Sequence, residues 1–318
     1  MNEKIINKIA YFIPNKKLRN NIKKYFQYSK INNFIIDVLN IRLVEIEIFS
    51  FCNRKCLFCP NSFIDRHSTN NYMPENLYLK ILQELKHINY SNMISYSRYN
   101  EPLSNKEIFI SRIRQAKSYL PNATLHTNTN GDYLNRQYLD LLYDAGLTSM
   151  NIQYYLKNYE IFDIDEIKNG ISNMAKKLML KFEEVYSSID RYEVKFLYKD
   201  MKLNMYARDF KINGTNRGGT LDTILPIKRT TKCYIPFTDI YIDYNGKVMP
   251  CCNFRSDIDK HQKFIIGDVN NDNILSIFNN CANKKLRYNL YNNIESIIPC
   301  NECNFVLDYK PDIIKKRY

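Results

Sequence analysis

The sequence predicts an α/β fold because of its length, its apolar content and a repeated alternation of strand-like and helix-like segments. Its 318 residues are 45% hydrophobic with a mean hydropathy of -0.45, which is enough for one large domain or two modest ones. The alternation begins near residue 40 and implies parallel strands with helices outside, in an open sheet or a full or partial barrel. Loops that follow parallel strands share one rim, where functional sites of such folds lie.

The first predicted strand covers residues 42–49, where apolar residues alternate with Glu45 and Glu47 and give the strand a polar face. Further strands are predicted over residues 92–97, 123–129, 148–156 and 192–199. Apolar residues at helical spacing predict helices over residues 74–88, 105–120, 135–146 and 164–179.

The first 30 residues form a basic segment that precedes this alternation. They hold eight Lys and Arg residues against Glu3 alone, in a chain with a formal net charge of +13. Their apolar spacing predicts an amphipathic helix broken near Pro14, which either contacts an anionic membrane surface or packs on the body with its lysines solvated. No RNA-binding motif accompanies the segment, so nucleic acid is disfavoured as a partner.

The cysteine content fits metal binding better than disulfide bonding. No apolar run is long enough to span a bilayer and the start lacks a signal-peptide pattern, which together predict a cytoplasmic protein. In a reducing compartment, closely spaced cysteines are more often metal ligands or reactive thiols than disulfides, and the chain has an odd number, nine.

Three cysteines follow the first strand with the spacing C-x3-C-x2-C, namely Cys52, Cys56 and Cys59. A tight loop with this spacing can direct three thiolates at one face of an iron–sulfur cube, which leaves one iron open to bind something else. The alternatives are a zinc site completed by His67 or a distant residue, and a set of reactive or buried thiols. No equally close fourth ligand accompanies the three cysteines, which favours the cluster.

This motif, with Phe58 directly before Cys59, resembles that of the radical S-adenosylmethionine (SAM) enzymes. The resemblance implies a 4Fe-4S cluster whose open iron binds SAM, and Phe58 beside the cofactor. In that family, reductive cleavage of SAM yields a 5′-deoxyadenosyl radical that abstracts a hydrogen atom from the substrate. The resemblance also implies a partial (β/α)6 TIM-like barrel and a flavodoxin- or ferredoxin-type electron donor.

Two polar stretches after the second and third strands carry the same resemblance. Tyr99, Asn100 and Glu101, followed by proline, are similar to the Gly-Gly-Glu-Pro region that receives the amino group of SAM, although both glycines are absent. Asn128 and Asn130 lie in TNTNG, which is similar to the segment that lines the adenosyl pocket. Taken alone, each stretch is typical of a polar turn.

The last third of the chain holds a second metal-binding signal. A hairpin turn predicted at residues 245–246 brings Cys233 and Cys251 together, and the pair Cys300 and Cys303 supplies two more thiolates. Four such ligands suit either zinc or an iron–sulfur cluster. Their order resembles the SPASM or twitch extension of radical SAM enzymes, which implies a small C-terminal β-hairpin plus helix domain with one auxiliary 4Fe-4S cluster.

Two cysteines, Cys252 and Cys281, are left over. Some relatives that invert a carbon centre return a hydrogen atom to the substrate radical from a thiol, so both are candidate catalytic residues, and buried inert cysteine is the alternative. Residues 216–219, NRGG, resemble the end of the barrel in some relatives, where Arg217 faces an anionic substrate group or solvent.

The resemblance covers about residues 40–305 and implies three regions, a basic N-terminal segment (1–39), a barrel (40–228) and an auxiliary-cluster domain (229–318). The expected activity is hydrogen abstraction from a small-molecule carbohydrate-like alcohol, ending in oxidation or epimerisation. If residues 1–30 contact a membrane, a lipid-linked sugar becomes a candidate substrate. The alternatives are a peptide-modifying maturase or epimerase and, in another class, a non-catalytic zinc-stabilised binding protein.

Overall fold

A computed structural model of the protein describes residues 14–21, 31, 35–156, 161–222, 229–292, 298–303 and 305. Most of the predicted N-terminal amphipathic helix lies outside these residues, and residues 16–21 are helical. No helix among the described residues is both long and apolar enough to cross a membrane.

Ten strands of the described residues form one sheet in the order β10-β9-β8-β1-β2-β3-β4-β7-β6-β5. Their bounds are β1 (Leu43–Ile46), β2 (Met93–Ser95), β3 (Thr124–Thr129), β4 (Ser149–Gln153), β5 (Phe182–Ser187), β6 (Arg191–Phe196), β7 (Lys202–Arg208), β8 (Asp239–Ile242), β9 (Lys247–Met249) and β10 (Gly267–Asp268). The central strands, from β8 through β1 to β7, run parallel, and the strands at both ends are antiparallel. The sheet does not close, so the fold is the predicted partial barrel.

Four helices cover the parallel strands, as predicted, each within two residues of its expected bounds. They are α1 (Glu75–His87), α2 (Lys106–Tyr119), α3 (Arg136–Ala145) and α4 (Ile164–Leu178). Asn105 and Asn135 cap the N-termini of α2 and α3. The side-chain oxygen of each accepts a hydrogen bond from the backbone amide three residues further along the chain. The apolar faces of these helices are fully buried against the sheet and form most of the core.

The prediction is incomplete after α4. The strand predicted over residues 192–199 exists as β6, but it runs antiparallel to both β5 and β7. The connections are short turns, and a parallel return needs a crossover of a dozen or more residues. The parallel strand next to β4 is β7, which the sequence analysis did not predict.

The C-terminal segment extends the barrel sheet. Strand β8 pairs in parallel with β1, and the predicted hairpin joins β8 to β9 through a turn in which Gly246 has φ of +83°. Short helices complete the segment, namely α6 (Ile235–Thr238), α7 (Ile274–Phe278) and α8 (Cys281–Tyr291), while α5 (Phe210–Asn213) follows β7. The hairpin therefore lies beside the first barrel strand and the loop that follows it.

Candidate active site

The carboxyl ends of the parallel strands open into a cavity of about 230 Å³. Strands β1, β3, β4 and β7 contribute Glu45, Asn128, Gln153 and Arg208, and the segment after β2 contributes Ser97. Asn128 donates a hydrogen bond of 2.7 Å to the Ser97 hydroxyl and accepts one of 3.1 Å from the side chain of Asn151. The walls are therefore rich in hydrogen-bonding groups, which suit a hydroxylated ligand.

All three cysteines of the first motif line this cavity. A turn in which the Cys59 amide donates to the Cys56 carbonyl at 3.0 Å keeps two of them together. Burial raises the pKa of Cys52 to about 11 and that of Cys56 to about 12. Near neutral pH these thiols therefore lose their protons readily only when a metal centre binds the thiolates. His67 is exposed and does not line the cavity, so the structure does not support it as a fourth ligand.

A buried clamp holds the cysteine loop against the C-terminal domain. Asn61, two residues after Cys59, donates to the Tyr99 carbonyl at 2.8 Å and accepts from Arg255 Nη1 at 2.9 Å. Arg255 makes two further hydrogen bonds, of 2.8 and 2.6 Å, to the carboxylate of Asp257. The loop is thus positioned by a residue almost two hundred positions along the chain.

Arg66, just beyond the loop, joins the clamp to strand β1. Its guanidinium donates to Glu47 Oε1 and to Asp257 Oδ2, both at 2.7 Å. The guanidinium is only 3% exposed, so both ion pairs are buried. Glu47 on the polar face of the first strand therefore serves to hold the loop that follows it.

The six residues predicted to contact SAM line the same cavity, namely Phe58, Tyr99, Asn100, Glu101, Asn128 and Asn130. Glu101 Oε1 accepts hydrogen bonds from Thr129 and from the Leu103 amide, and Oε2 accepts one from the Asn130 amide at 2.8 Å. A carboxylate offers about four acceptor positions, so one remains on Oε2. The side-chain nitrogen of Asn100 is buried and has no partner among the described residues, so it is a donor left for a ligand.

An aromatic stack forms one wall of the cavity. Phe58 lies 3.5 Å from Phe210, centroid to centroid and nearly parallel, and 5.2 Å from Tyr155, which is itself 5.9 Å from Phe210. Phe210 begins α5, and only the placement of β7 brings it to Phe58. The sequence analysis missed Phe210 and Tyr155 for that reason.

Glu45 is a carboxylate that faces the cavity without a hydrogen-bond donor among the described residues. Its nearest cation is Arg98 Nη1 at 3.7 Å, and Arg98 is itself held by Asp243 through contacts of 2.8 and 2.6 Å. Burial raises the pKa of Glu45 to about 8, against the charge of Arg98. The polar face of the first predicted strand was the sequence signal for this group, whose role sequence analysis did not assign.

The four cysteines of the second set line a separate cavity, formed by the C-terminal segment. Cys233, Cys251, Cys300 and Cys303 are all on its walls, so the structure brings together the predicted hairpin pair and the downstream pair. Burial raises the pKa of Cys233 to about 11 and that of Cys300 to about 12, so these thiols also need a metal centre to ionise near neutral pH.

The donor chemistry of both thiol sets suits iron–sulfur clusters, whose usual ligands are thiolates. Within the described part of the chain, no three Cys, His, Asp or Glu side chains converge closely enough to hold one metal ion. A zinc ion needs its sulfurs about 2.3 Å away on every side, whereas an iron–sulfur cluster is several atoms across. Both sets of thiols can therefore hold iron–sulfur clusters.

Two adjacent cysteines, Cys251 and Cys252, line different cavities. Cys251 lines the four-thiol cavity, whereas Cys252 lines the cavity at the carboxyl ends of the strands. A hydrogen bond with Cys251, helped by the nearby charges of Arg217 and Arg98, lowers the pKa of Cys252. Cys281 is exposed at the start of α8 and lines neither cavity, so it is not a buried cysteine and its position does not support the predicted role as a catalytic donor.

The NRGG loop turns sharply into the cavity. Arg217, Gly218 and Gly219 have φ of 48°, 67° and 77°, and a side chain at Gly218 would meet His261 at 2.8 Å. Arg217 lines the cavity, as predicted for a residue that faces a substrate group. A left-handed backbone conformation at a non-glycine residue such as Arg217 costs free energy, and such strained residues are common in functional loops.

A partial barrel with three thiols after its first strand, followed by a separate four-thiol cavity, defines an iron–sulfur protein with two cluster sites. Comparison with protein-family models gives the same result, since residues 46–154 match the Radical SAM superfamily and residues 233–304 match SPASM, an iron–sulfur cluster-binding domain. Residues 46–154 therefore carry a Radical SAM domain, and residues 233–304 carry a SPASM domain. A 4Fe-4S cluster and SAM are therefore the chain's cofactors at the first site, with an auxiliary cluster at the second.

Individual proteins and solved structures are also similar to this chain. The S-adenosyl-L-methionine-dependent 2-deoxy-scyllo-inosamine dehydrogenase of Niallia circulans is 28% identical over 245 residues, which are 75% of this chain and 82% of that protein. The crystal structure of BtrN in complex with AdoMet and 2-DOIA is 22% identical, has a TM-score of 0.64 and covers 87% of this chain and 99% of its own. BtrN in an open conformation has a TM-score of 0.55 at 20% identity, with 84% and 93% covered. The two structures support the fold.

Proposed function

We propose that the protein is a radical SAM oxidoreductase that converts a carbohydrate-like alcohol to a ketone. The observation that carries this proposal is the position of the polar cavity between the three-thiol loop and Cys252, which adjoins the four-thiol cavity. The relative named as a 2-deoxy-scyllo-inosamine dehydrogenase supports the alcohol as substrate class.

The first cluster would be held by Cys52, Cys56 and Cys59, and SAM bound there supplies a radical that removes a hydrogen atom from carbon. The chain's own contribution is to orient cofactor and substrate. The free donor of Asn100 and the open acceptor position of Glu101 suit the charged groups of an amino acid. The hydrogen-bonded side chains of Asn128 and Ser97 in the cavity wall suit sugar hydroxyls.

Oxidation of an alcohol also removes the hydroxyl proton and one electron. In its deprotonated form Glu45 is the proton acceptor that the geometry offers, because its carboxylate faces the cavity without a hydrogen-bond donor among the described residues. Burial raises the pKa of Glu45 to about 8, so this form becomes abundant only as the pH approaches 8. An auxiliary cluster on Cys233, Cys251, Cys300 and Cys303 supplies an electron acceptor when bound.

The domain division at residues 39 and 228 is part of the same proposal, supported by the separate four-thiol cavity, although β8 continues the barrel sheet. A flavodoxin- or ferredoxin-type donor, a cytoplasmic location, membrane contact through residues 1–30 and a lipid-linked substrate stay predictions from the sequence.

The test is a reaction of the anaerobically reconstituted protein with SAM, a reductant and a pool of aminocyclitols and sugar derivatives in deuterated water. A product two hydrogens lighter than its substrate, formed with 5′-deoxyadenosine, is the expected result. Formation of 5′-deoxyadenosine with every pool member unchanged would count against a carbohydrate-like alcohol. Absence of 5′-deoxyadenosine from a protein with its iron intact would contradict the radical chemistry itself.

Epimerisation is the second candidate function, and one observation favours it, the Cys252 thiol in the cavity wall. In this outcome the S–H bond gives its hydrogen atom to the substrate carbon, and the sulfur radical then takes one electron and one proton from the reductant and solvent. The same experiment separates the two outcomes, since epimerisation places one solvent deuterium in a product of otherwise unchanged composition. Cys252→Ala would then abolish that label, with Cys281→Ala as the matched control because Cys281 is exposed outside both cavities.

A further inference from the structure

Two arginines in the cavity wall have no acidic partner in the described part of the chain. Arg208 is the last residue of β7, and Arg217 lies in the NRGG loop. The polar contact of Arg208 is a long one, 3.5 Å from Nη1 to the Asn213 carbonyl. That of Arg217 is similar, 3.5 Å from Nη1 to the side chain of Asn253. The Nε of each is buried without a partner.

The other arginines of the cavity wall are neutralised. Arg54 forms a two-point ion pair with Asp132, and Arg98 forms one with Asp243. The contrast matters because buried guanidinium groups are normally paired, and each offers five donors. The sequence therefore keeps two positive groups in one wall of the cavity without supplying the anion.

The two positive groups also act on each other. Burial lowers the pKa of Arg208 from its ordinary value, and the charge of Arg217 acts in the same direction. Arg217 has the sulfurs of Cys59 and Cys252 near it to offset its charge, whereas Arg208 has aromatic neighbours, with its guanidinium 4.7 Å from the Phe210 ring centre. Of these two guanidinium groups, Arg208 is therefore the one whose positive charge is less offset by neighbouring residues.

We propose that Arg208, with Arg217 beside it, binds a phosphoryl group of the substrate, so that the substrate is a phosphorylated or nucleotide-linked sugar alcohol. This deepens the proposed function, since it assigns the chemical class of the molecule oxidised in the cavity. A phosphoryl group carries close to two negative charges and takes bidentate hydrogen bonds from planar guanidinium groups, so it matches both arginines in charge and geometry. Two anionic groups could bind these unpaired guanidinium groups, a phosphoryl group of the substrate and the carboxylate of SAM.

The experiment is equilibrium dialysis of radiolabelled inorganic phosphate against the reconstituted holoenzyme, and of labelled SAM in a parallel set. Wild type and Arg208→Gln are compared, with Arg114→Gln on the exposed face of α2 as the control for loss of one positive charge. Iron content and circular dichroism establish that each variant is folded and loaded. The expected result is saturable phosphate binding by wild type and Arg114→Gln, weakened about tenfold or more in Arg208→Gln, with SAM affinity unchanged.

Three results would overturn the proposal. One is phosphate binding that is not saturable, or is equal in wild type and Arg208→Gln. Another is a fall in SAM affinity in Arg208→Gln, which would assign the arginine to the SAM carboxylate. The third is displacement of phosphate by an equal concentration of acetate, which would indicate a carboxylate-bearing substrate. None of these readouts needs turnover, so failure of this proposal is distinguishable from failure of alcohol oxidation.

Discussion

Replacing Arg255 by methionine is expected to destabilise the protein strongly, because this side chain joins the cysteine loop to the C-terminal domain. Arg255 is fully buried, pairs at two points with Asp257 and donates to Asn61. Breaking a buried ion pair by removing one partner costs about 3–5 kcal/mol. For a chain of this size, that loss corresponds to a melting temperature lower by about 4–8 °C.

The measurement is thermal unfolding of the anaerobically reconstituted protein by circular dichroism, with Arg114→Met as the exposed control. A double-mutant cycle with Asn61→Leu tests the contact itself. The two single changes are expected to sum to more than the double change, by about 1 kcal/mol or more, because either one already breaks the 2.9 Å hydrogen bond. A melting temperature of Arg255→Met within about 2 °C of wild type would refute this account of the loop.

Two further predictions concern single groups of the site. Burial raises the pKa of Glu45 to about 8 in the folded protein, so the folded state holds a proton that the unfolded state releases above its ordinary value of 4.5. The stability that depends on this proton is fully present below about pH 4.5 and is lost as the pH rises to about 8. Glu45→Gln is therefore expected to flatten the fall in melting temperature between about pH 5 and pH 8, and an unchanged profile would contradict the assignment. Cys281→Ala is expected to leave iron content and product formation within about twofold of wild type, since Cys281 is exposed outside both cavities; a loss of iron by elemental analysis would show that it ligates metal.

Much of the barrel was predictable because its signals are local. The spacing of apolar residues and the asparagine caps defined α1 to α4, and the Asn245-Gly246 turn defined the β8–β9 hairpin. Strand β7 was also readable, since Leu203, Met205 and Ala207 alternate with more exposed residues, but its alternation was overlooked next to that of β6.

The cysteine sets were predictable for the same reason, and their surroundings were not. Spacing together with the family resemblance assigned each set, whereas the placement of Cys251 and Cys252 in different cavities occurs in the bend and turn after β9, which the spacing does not predict. The contact of Arg255 with Asn61 joins residues 194 positions apart, and the stack of Phe210 on Phe58 depends on where β7 lies. Such contacts are set by tertiary packing, which no local pattern encodes.

The central claim is that two sets of thiols hold two separate clusters, one at each cavity. Iron and acid-labile sulfide are measured in the reconstituted wild type and in a variant with Cys52, Cys56 and Cys59 all changed to alanine. The account predicts about eight iron atoms per chain in wild type and about four in the variant, each matched by sulfide. Colourless protein that holds zinc, or a triple variant that keeps all its iron, would contradict it.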